Sequence, residues 1–274
     1  MMRLLISTDL DGTLLDHYSY SAAAAESQLR TLQTLDIPWI LNTSKTLAEL
    51  EPLRQCLGHR DPFVVENGAA VYIPAELPVA TTTCPQIDGR YRRQTFGPDR
   101  SRILNALAPL SRRYRFTGFA AMTTDSIVRL TGLAPEAAAQ ALQRQFTEPL
   151  VWQDSAAALD DFAAELALVG LQIQRGGRFV HVMGHCDKAA AMGWLAGRYG
   201  ELWNEPVTTL ALGDGENDIG MLQQADIAVL VRSPAHPPPA VPGRADIRLT
   251  DETGPAGWSQ AVKQTLTELG LGGP

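Results

Sequence analysis

The stretch from Leu4 to Leu15, L-L-I-S-T-D-L-D-G-T-L-L, constrains the chain most. Leu4, Leu5 and Ile6 form a short apolar run with β character, and carboxylates follow at Asp9 and Asp11. Alternate side chains on extended backbone point the same way, so both acids aim at one spot. Gly12 lets the chain turn sharply without a Cβ penalty. Like charges held this close repel, and a divalent cation is the usual remedy. A carboxylate can also act as a nucleophile that splits a hard transfer into two easier steps. D-x-D alone reads as an acidic turn; D-x-D-G-T-L behind an apolar strand favours the chemical account.

Ser21 to Leu35 sets Leu29, Leu32 and Leu35 at helical spacing, and Pro38–Leu41 then reads as a strand. That β-α-β order is the signature of a parallel sheet. Asn42 to Lys45 precedes Thr46-x-x-Glu49, which has the form of a helix capping box. Thr43, Ser44 and Lys45 therefore sit at a strand's carboxyl end and before a helix N-terminus. Open α/β sheets bind ligands there, and such a helix end favours anions. Phe63–Val65 and Ala69–Ile73 flank Glu66-Asn67-Gly68, which reads as a hairpin turn.

Prolines and glycines from Pro78 to Pro98 then lead out of the first sheet. Residues 84–176 read as an inserted domain between core segments 1–83 and 177–274. Its helix-like runs are Arg100–Tyr114 and Pro135–Phe146, and its strand-like runs Phe116–Ala120 and Leu150–Trp152. Arg178–Met183 resumes a strand, and Asp187 is placed to cap a helix that Lys188 opens. The macrodipole disfavours a cation there unless a bound anion, or Asp9 nearby, reverses the sign. Thr208–Leu212 is a buried-strand run that delivers Gly213-Asp214-Gly215-Glu216-Asn217-Asp218 to the same kind of edge. Asp214 can reach a metal from there, while Asn217 and Asp218 can hold a neighbouring lysine. Ile227–Val231 is a further strand, 233–243 a proline-rich surface loop, Ile247–Leu249 an edge strand and Trp258–Leu269 a closing helix.

Chain length allows one large domain or two modest ones across 274 residues. A net charge of −7 disfavours nucleic acid or an anionic membrane as partner, though a site can still be locally basic. No apolar run approaches a membrane span, and the first residues are too short and too acidic for a signal peptide. Cys56, Cys84 and Cys186 are scattered, which fits a reducing cytoplasm. The expected partner is a small molecule, and the expected assembly a monomer or homodimer.

Asp9-x-Asp11-Gly-Thr-Leu, Thr43 after a strand, Lys188 opening a helix, and Gly213-Asp214-x-x-Asn217-Asp218 resemble the four motifs of haloacid dehalogenase-like phosphatases. That resemblance implies an α/β fold with a Rossmann-like parallel-sheet core and an inserted α+β type-two cap. A narrower likeness runs through N-T-S-K-T, E-N-G, Leu130–Leu133, Arg144–Pro149, Gly176–Phe179 and Gly254–Trp258, which resemble mannosyl-3-phosphoglycerate phosphatases. Glu216 departs from the proline expected before Asn-Asp.

The resemblance implies a phosphorylated sugar-glycerate substrate, mannosyl-3-phosphoglycerate or its glucosyl analogue, on the way to a compatible solute. Asp9 is then the nucleophile and Asp11 the acid and base, with Thr43 and Lys188 on the phosphoryl oxygens. Mg²⁺ is expected at Asp9, Asp11, Asp214 and Asp218. Arg144 and Arg178 are expected to pair with the glycerate carboxylate, and Ser44, Lys45, Asn67, Gly68 and Asn217 to line the cleft. The competing readings are a broader sugar-phosphate phosphatase, a phosphomutase with the same cap type, and a phosphosugar sensor without catalysis.

Overall fold

The computed structural model describes residues 3–79, 84–176 and 178–272. Its first strand, β1 (Arg3–Thr8), is apolar on both sides and needs cover on both. Leu4 and Ile6 face a layer containing Leu29, Leu32, Trp258 and Val262, while Leu5 faces Ala191, Leu195 and Tyr199. Strands that read as continuous hydrophobic runs belong in a parallel sheet covered on both faces.

The remaining elements follow in order. After β1 come α1 (Glu26–Thr34), β2 (Trp39–Asn42), α2 (Leu47–Leu57), β3 (Phe63–Val65), β4 (Ala70–Pro74), β5 (Gln86–Ile87) and β6 (Tyr91–Thr95). The middle of the chain forms α3 (Arg100–Leu110), β7 (Phe116–Gly118), α4 (Thr124–Thr131), α5 (Pro135–Ala141), β8 (Glu148–Trp152), α6 (Ala156–Ala167), β9 (Leu171–Gly176) and β10 (Phe179–Gly184). The last part supplies α7 (Lys188–Trp203), β11 (Val207–Gly213), α8 (Ile219–Gln224), β12 (Ile227–Arg232), β13 (Arg248–Thr253) and α9 (Gly254–Glu268).

A nine-stranded sheet has the order β13-β12-β11-β1-β2-β3-β4-β6-β5. Strands β13 to β3 run parallel, and β4, β6 and β5 extend that edge antiparallel. The chain leaves β1 toward β2 on one side and returns at β11 on the other. The carboxyl ends of β1 and β11 therefore flank the point where strand order reverses, the place where open α/β sheets bind ligands. Helix α2 begins on the expected capping box: Thr46 N–H donates to the Glu49 carboxylate at 2.8 Å, and Glu49 N–H returns to Thr46 Oγ1 at 3.2 Å.

A second, antiparallel sheet has the order β7-β8-β10-β9. One face packs Leu150, Leu171, Val180 and Val182 against Ile103 and Leu107 of α3 and Phe162 and Leu166 of α6. Sheet membership moves both edges of the insert that the sequence places at 84–176. Strands β5 and β6 join the large sheet through β4, and β10, which the sequence assigns to the core, pairs with β8 and β9. The turn-forming residues before Pro98 fold a small antiparallel addition to the sheet edge, which composition alone does not distinguish from an exit. Residues 80–83, in the same stretch, lie outside the described residues.

The two layers meet at Glu66, a buried carboxylate in the turn between β3 and β4. It accepts from Gln145 N–H at 2.8 Å, Phe146 N–H at 3.2 Å and Thr147 Oγ1 at 2.6 Å. Arg144 completes the joint by donating to Thr147 Oγ1 at 2.8 Å and to the Ser44 carbonyl at 2.7 Å.

Beneath the sheet, His59 is buried and bonded on both sides. Its Nδ1 accepts from Arg54 Nε at 3.0 Å, which leaves Nε2–H to donate to the Trp39 carbonyl at 2.8 Å. Burial, and then the Arg54 charge, lower its pKa to about 3. Below the unfolded value near 6.5 the unfolded chain binds a proton that the folded chain refuses, so this histidine makes stability fall as pH falls toward 3. His59→Gln removes that proton difference. Urea midpoints measured at pH 7, 6 and 5 should show wild type losing its advantage over the variant by up to about 1.4 kcal/mol per pH unit below 6.5.

Candidate active site

Four loops converge at the carboxyl ends of β1, β2 and β11. Asp9 follows β1, and its N–H donates to the Leu212 carbonyl at 2.9 Å, tying it to β11. Gly12 turns the chain with φ +85°, and a Cβ there would lie 2.5 Å from Asp214 Oδ2. Only glycine lets the two acidic loops approach this closely. Thr13 Oγ1 donates to Asp214 Oδ1 at 3.1 Å and fixes that carboxylate.

Lys188, only 1% exposed, sits between two of the acids. Its Nζ donates to Asp9 Oδ1 at 2.5 Å and Asp218 Oδ1 at 2.7 Å. The first residue of α7 is thus a cation whose unfavourable place on the dipole is overcome by two anions. Asp187 caps that helix through Ala190 N–H at 2.7 Å, and Asn42 Nδ2 holds the Lys188 carbonyl at 2.9 Å. Burial alone would lower the lysine, but Asp218 and Asp9 outweigh it and raise its pKa. Burial pushes Asp9 well up, with Lys188 opposing and the neighbouring acids adding to the rise. Asp214 is raised by burial and then by Asp218.

One oxygen each from Asp9, Asp214 and Asp218 lie within 4.8 Å of one another. Asp218 also serves the loop and the lysine: Oδ1 accepts from Lys188 Nζ, and Oδ2 accepts from Asp214 N–H at 3.1 Å and Gly215 N–H at 3.0 Å. It holds the loop and the lysine in place. Asp11 turns Oδ2 to Lys45 Nζ at 2.8 Å, while its buried Oδ1 has no hydrogen-bond partner. Burial would lower Lys45, but Asp11 and Glu49 raise it. An all-oxygen donor set with an unpartnered carboxylate atom beside it suits a hard divalent cation.

The expected cleft residues divide. Ser44, Lys45, Asn67, Arg144, Arg178 and Asn217 line a cavity of about 830 Å³ above Asp9, Asp11 and Asp214. Asn217 Nδ2 donates to Asn67 Oδ1 at 3.3 Å. Thr43 is buried beneath it, its Oγ1 accepting from Lys45 N–H at 3.3 Å. Gly68 is absent from the lining: it has φ +91°, and a Cβ would lie 2.0 Å from the Asp187 carbonyl oxygen. It is there so that the turn can press against the start of α7. Arg144 has Nε and Nη2 committed to Thr147 and Ser44, so its main contact is the joint between layers. Arg178 is exposed, and its Nη1 donates to the Leu130 carbonyl at 2.6 Å.

Sequence reading missed His236, whose Nε2 lies 3.3 Å from Asp214 Oδ2, and His181 and Gln174 in the cavity lining. The proline-rich loop, 233–243, brings Pro237–Pro239 to the same lining. Alternation along β10 was the available signal for His181.

Residues 6–88 match the family model of haloacid dehalogenase-like hydrolases. A haloacid dehalogenase-like hydrolase from Bacteroides thetaiotaomicron shares the fold, with a TM-score of 0.68 at 19% identity over 96% of this chain and 99% of that one. The core with its inserted cap is therefore that of the haloacid dehalogenase-like class. A glucosyl-3-phosphoglycerate/mannosyl-3-phosphoglycerate phosphatase from Persephonella marina is 35% identical, covering 98% of this chain and 99% of its own. One of the same name from Methanococcoides burtonii is 35% identical over 97% and 98%. The chain belongs to this phosphatase family, and it is a phosphoric monoester hydrolase. Among the described residues, no helix is long and apolar enough to cross a membrane.

Gly68→Ala should displace Asp187 and with it Lys188. A shift of about 1 Å at a catalytic group can cost about 100-fold in rate. Hydrolysis of p-nitrophenyl phosphate by this variant should fall by about that factor, with a lowered melting temperature.

Proposed function

We propose that this protein is a Mg²⁺-dependent phosphatase of mannosyl-3-phosphoglycerate, with the glucosyl ester as second substrate, acting through an aspartyl-phosphate. The observation that carries the reading is the buried Lys188 held at 2.5 Å from Asp9 at the strand-order reversal. The relatives' names supply the substrate class.

Asp9 attacks phosphorus, forming an O–P bond as the bond to the glycerate oxygen breaks. Asp11 delivers the proton that the leaving oxygen needs. The same carboxylate then takes a proton from the water that attacks the aspartyl-phosphate, which releases inorganic phosphate and restores Asp9. Lys188 and Thr43 stabilise the charge on the phosphoryl oxygens, and Asp218 keeps Lys188 in place. Asp9 and Asp214 would hold Mg²⁺, with the Asp11 loop beside it, and the ion would neutralise phosphoryl charge. Arg178 pairs with the glycerate carboxylate, whereas Arg144 positions the cap edge around Ser44. The scattered positions of Cys56, Cys84 and Cys186 in the sequence support a cytoplasmic setting.

Phosphate release should depend on added Mg²⁺, vanish with excess chelator and return on readdition. kcat/KM should be far larger for the glycosyl-3-phosphoglycerates than for simple sugar phosphates, and Asp9→Asn should abolish turnover. Flat activity across the panel would refute the substrate. Arg178→Ala should raise KM about 10- to 100-fold, the worth of a charge-assisted hydrogen bond; an unchanged KM removes its carboxylate role.

A further inference from the structure

Beyond the groups used above, the cleft is lined by residues on the free face of the small sheet. Along β8, β10 and β9, one set of alternate residues, Leu150, Val180, Val182 and Leu171, enters the apolar layer with α3 and α6. The intervening residues include Pro149, His181 and Gln174, all of which line the cavity. His181 pairs with Pro149 on one side and Gln174 on the other, so the three form one row across the sheet.

Two atoms in that row lack partners. His181 Nδ1 and Gln174 Oε1 are buried and make no hydrogen bond within the protein. His181 as a whole is only 9% exposed. A buried polar atom left unpaired costs about 1–3 kcal/mol, and folded proteins carry few of them. Both residues line the cavity, and each keeps one polar atom, sealed from solvent, for which the protein supplies no partner; a ligand that turns these side chains toward it would supply one.

The chemistry of the atoms selects those groups. An amide oxygen only accepts, so Gln174 Oε1 requires a donor. At neutral pH the carboxylate and phosphate of a phosphoglycerate ester have little hydrogen to offer, whereas sugar hydroxyls donate and accept. His181 adds no positive charge for an anion, because burial and then the neighbouring Arg144 lower its pKa to about 3. As a neutral imidazole it too suits a hydroxyl.

We propose that Gln174 and His181 are specificity-determining residues that hydrogen-bond the sugar-ring hydroxyls of the substrate from the cap side. The inference rests on the phosphatase reading above and identifies the part of the cap that recognises the glycosyl group.

The test compares wild type, Gln174→Leu and His181→Phe. Each is assayed for kcat/KM on mannosyl-3-phosphoglycerate and glucosyl-3-phosphoglycerate, relative to unglycosylated 3-phosphoglycerate. Each variant should lose about 10-fold or more of the preference for the glycosylated esters, chiefly through KM, and should melt no lower than wild type without ligand. An apolar replacement relieves the unpaired atom instead of breaking a bond. If both variants keep the full preference, the inference fails while the proposed function stands. A variant that melts far below wild type shows a structural partner for that side chain and also overturns it. A wild-type enzyme without preference for the glycosylated esters overturns the proposed function, and this inference with it.

Discussion

The buried ammonium of Lys188 is the constraint around which the site is arranged. Its two carboxylate partners come from strands far apart in the sequence, Asp9 after β1 and Asp218 after β11. Removing one partner of such a pair leaves a buried charge uncompensated, at a cost of about 3–5 kcal/mol. The surrounding geometry accordingly serves to close it. Gly213 has no Cβ, which would lie 2.4 Å from Asp218 Cβ, and Gly68 has none where the turn meets Asp187. These glycines allow three loops to reach one lysine. Asp9 and Asp11 then inherit their position from the end of β1.

A second buried charge joins the layers. Glu66 accepts three hydrogen bonds from residues 145–147, and Arg144 reaches back to the Ser44 carbonyl. Ser44 lies beside Thr43, and Glu66 beside Asn67. These contacts between cap and core therefore end on the same two loops that line the cleft. Displacement at the joint would be felt at the phosphoryl site, because packed interiors transmit small shifts.

Much of this arrangement was legible in the sequence because it depends on local rules. The strand before Asp9, the Thr46–Glu49 capping box, the Asp187 N-cap and the acids after β11 each follow from spacing and residue type. Lys188 stands out as a cation at the wrong end of a dipole, an anomaly that a bound anion or Asp9 could each resolve. Non-local pairing was less accessible. Strand β10 reads the same whether it pairs in the large sheet or the small one, so its place had to come from the fold. Gly68 and Arg144 occur in motifs but act through contacts with Asp187, Thr147 and Ser44, which motif spacing does not encode. His236 comes from a proline-rich loop whose path across the cleft mouth is set by tertiary contacts.

Under the proposed function, the two sheets would carry different parts of the task for a reason in their construction. The parallel sheet is covered on both faces, so its side chains are consumed by packing and only its carboxyl edge is free. An edge brings a few groups from separate strands to one point, which suits a reaction at a single phosphorus atom. The antiparallel sheet buries one face against α3 and α6 and leaves part of the other facing the cavity. A face offers a row of side chains at regular spacing, which suits the spread-out hydroxyls of a sugar ring. Because the strand repeat is two, His181 cannot turn to the helices unless its apolar neighbours Val180 and Val182 turn to the cleft. Packing of the cap core thereby fixes which residues can meet the substrate.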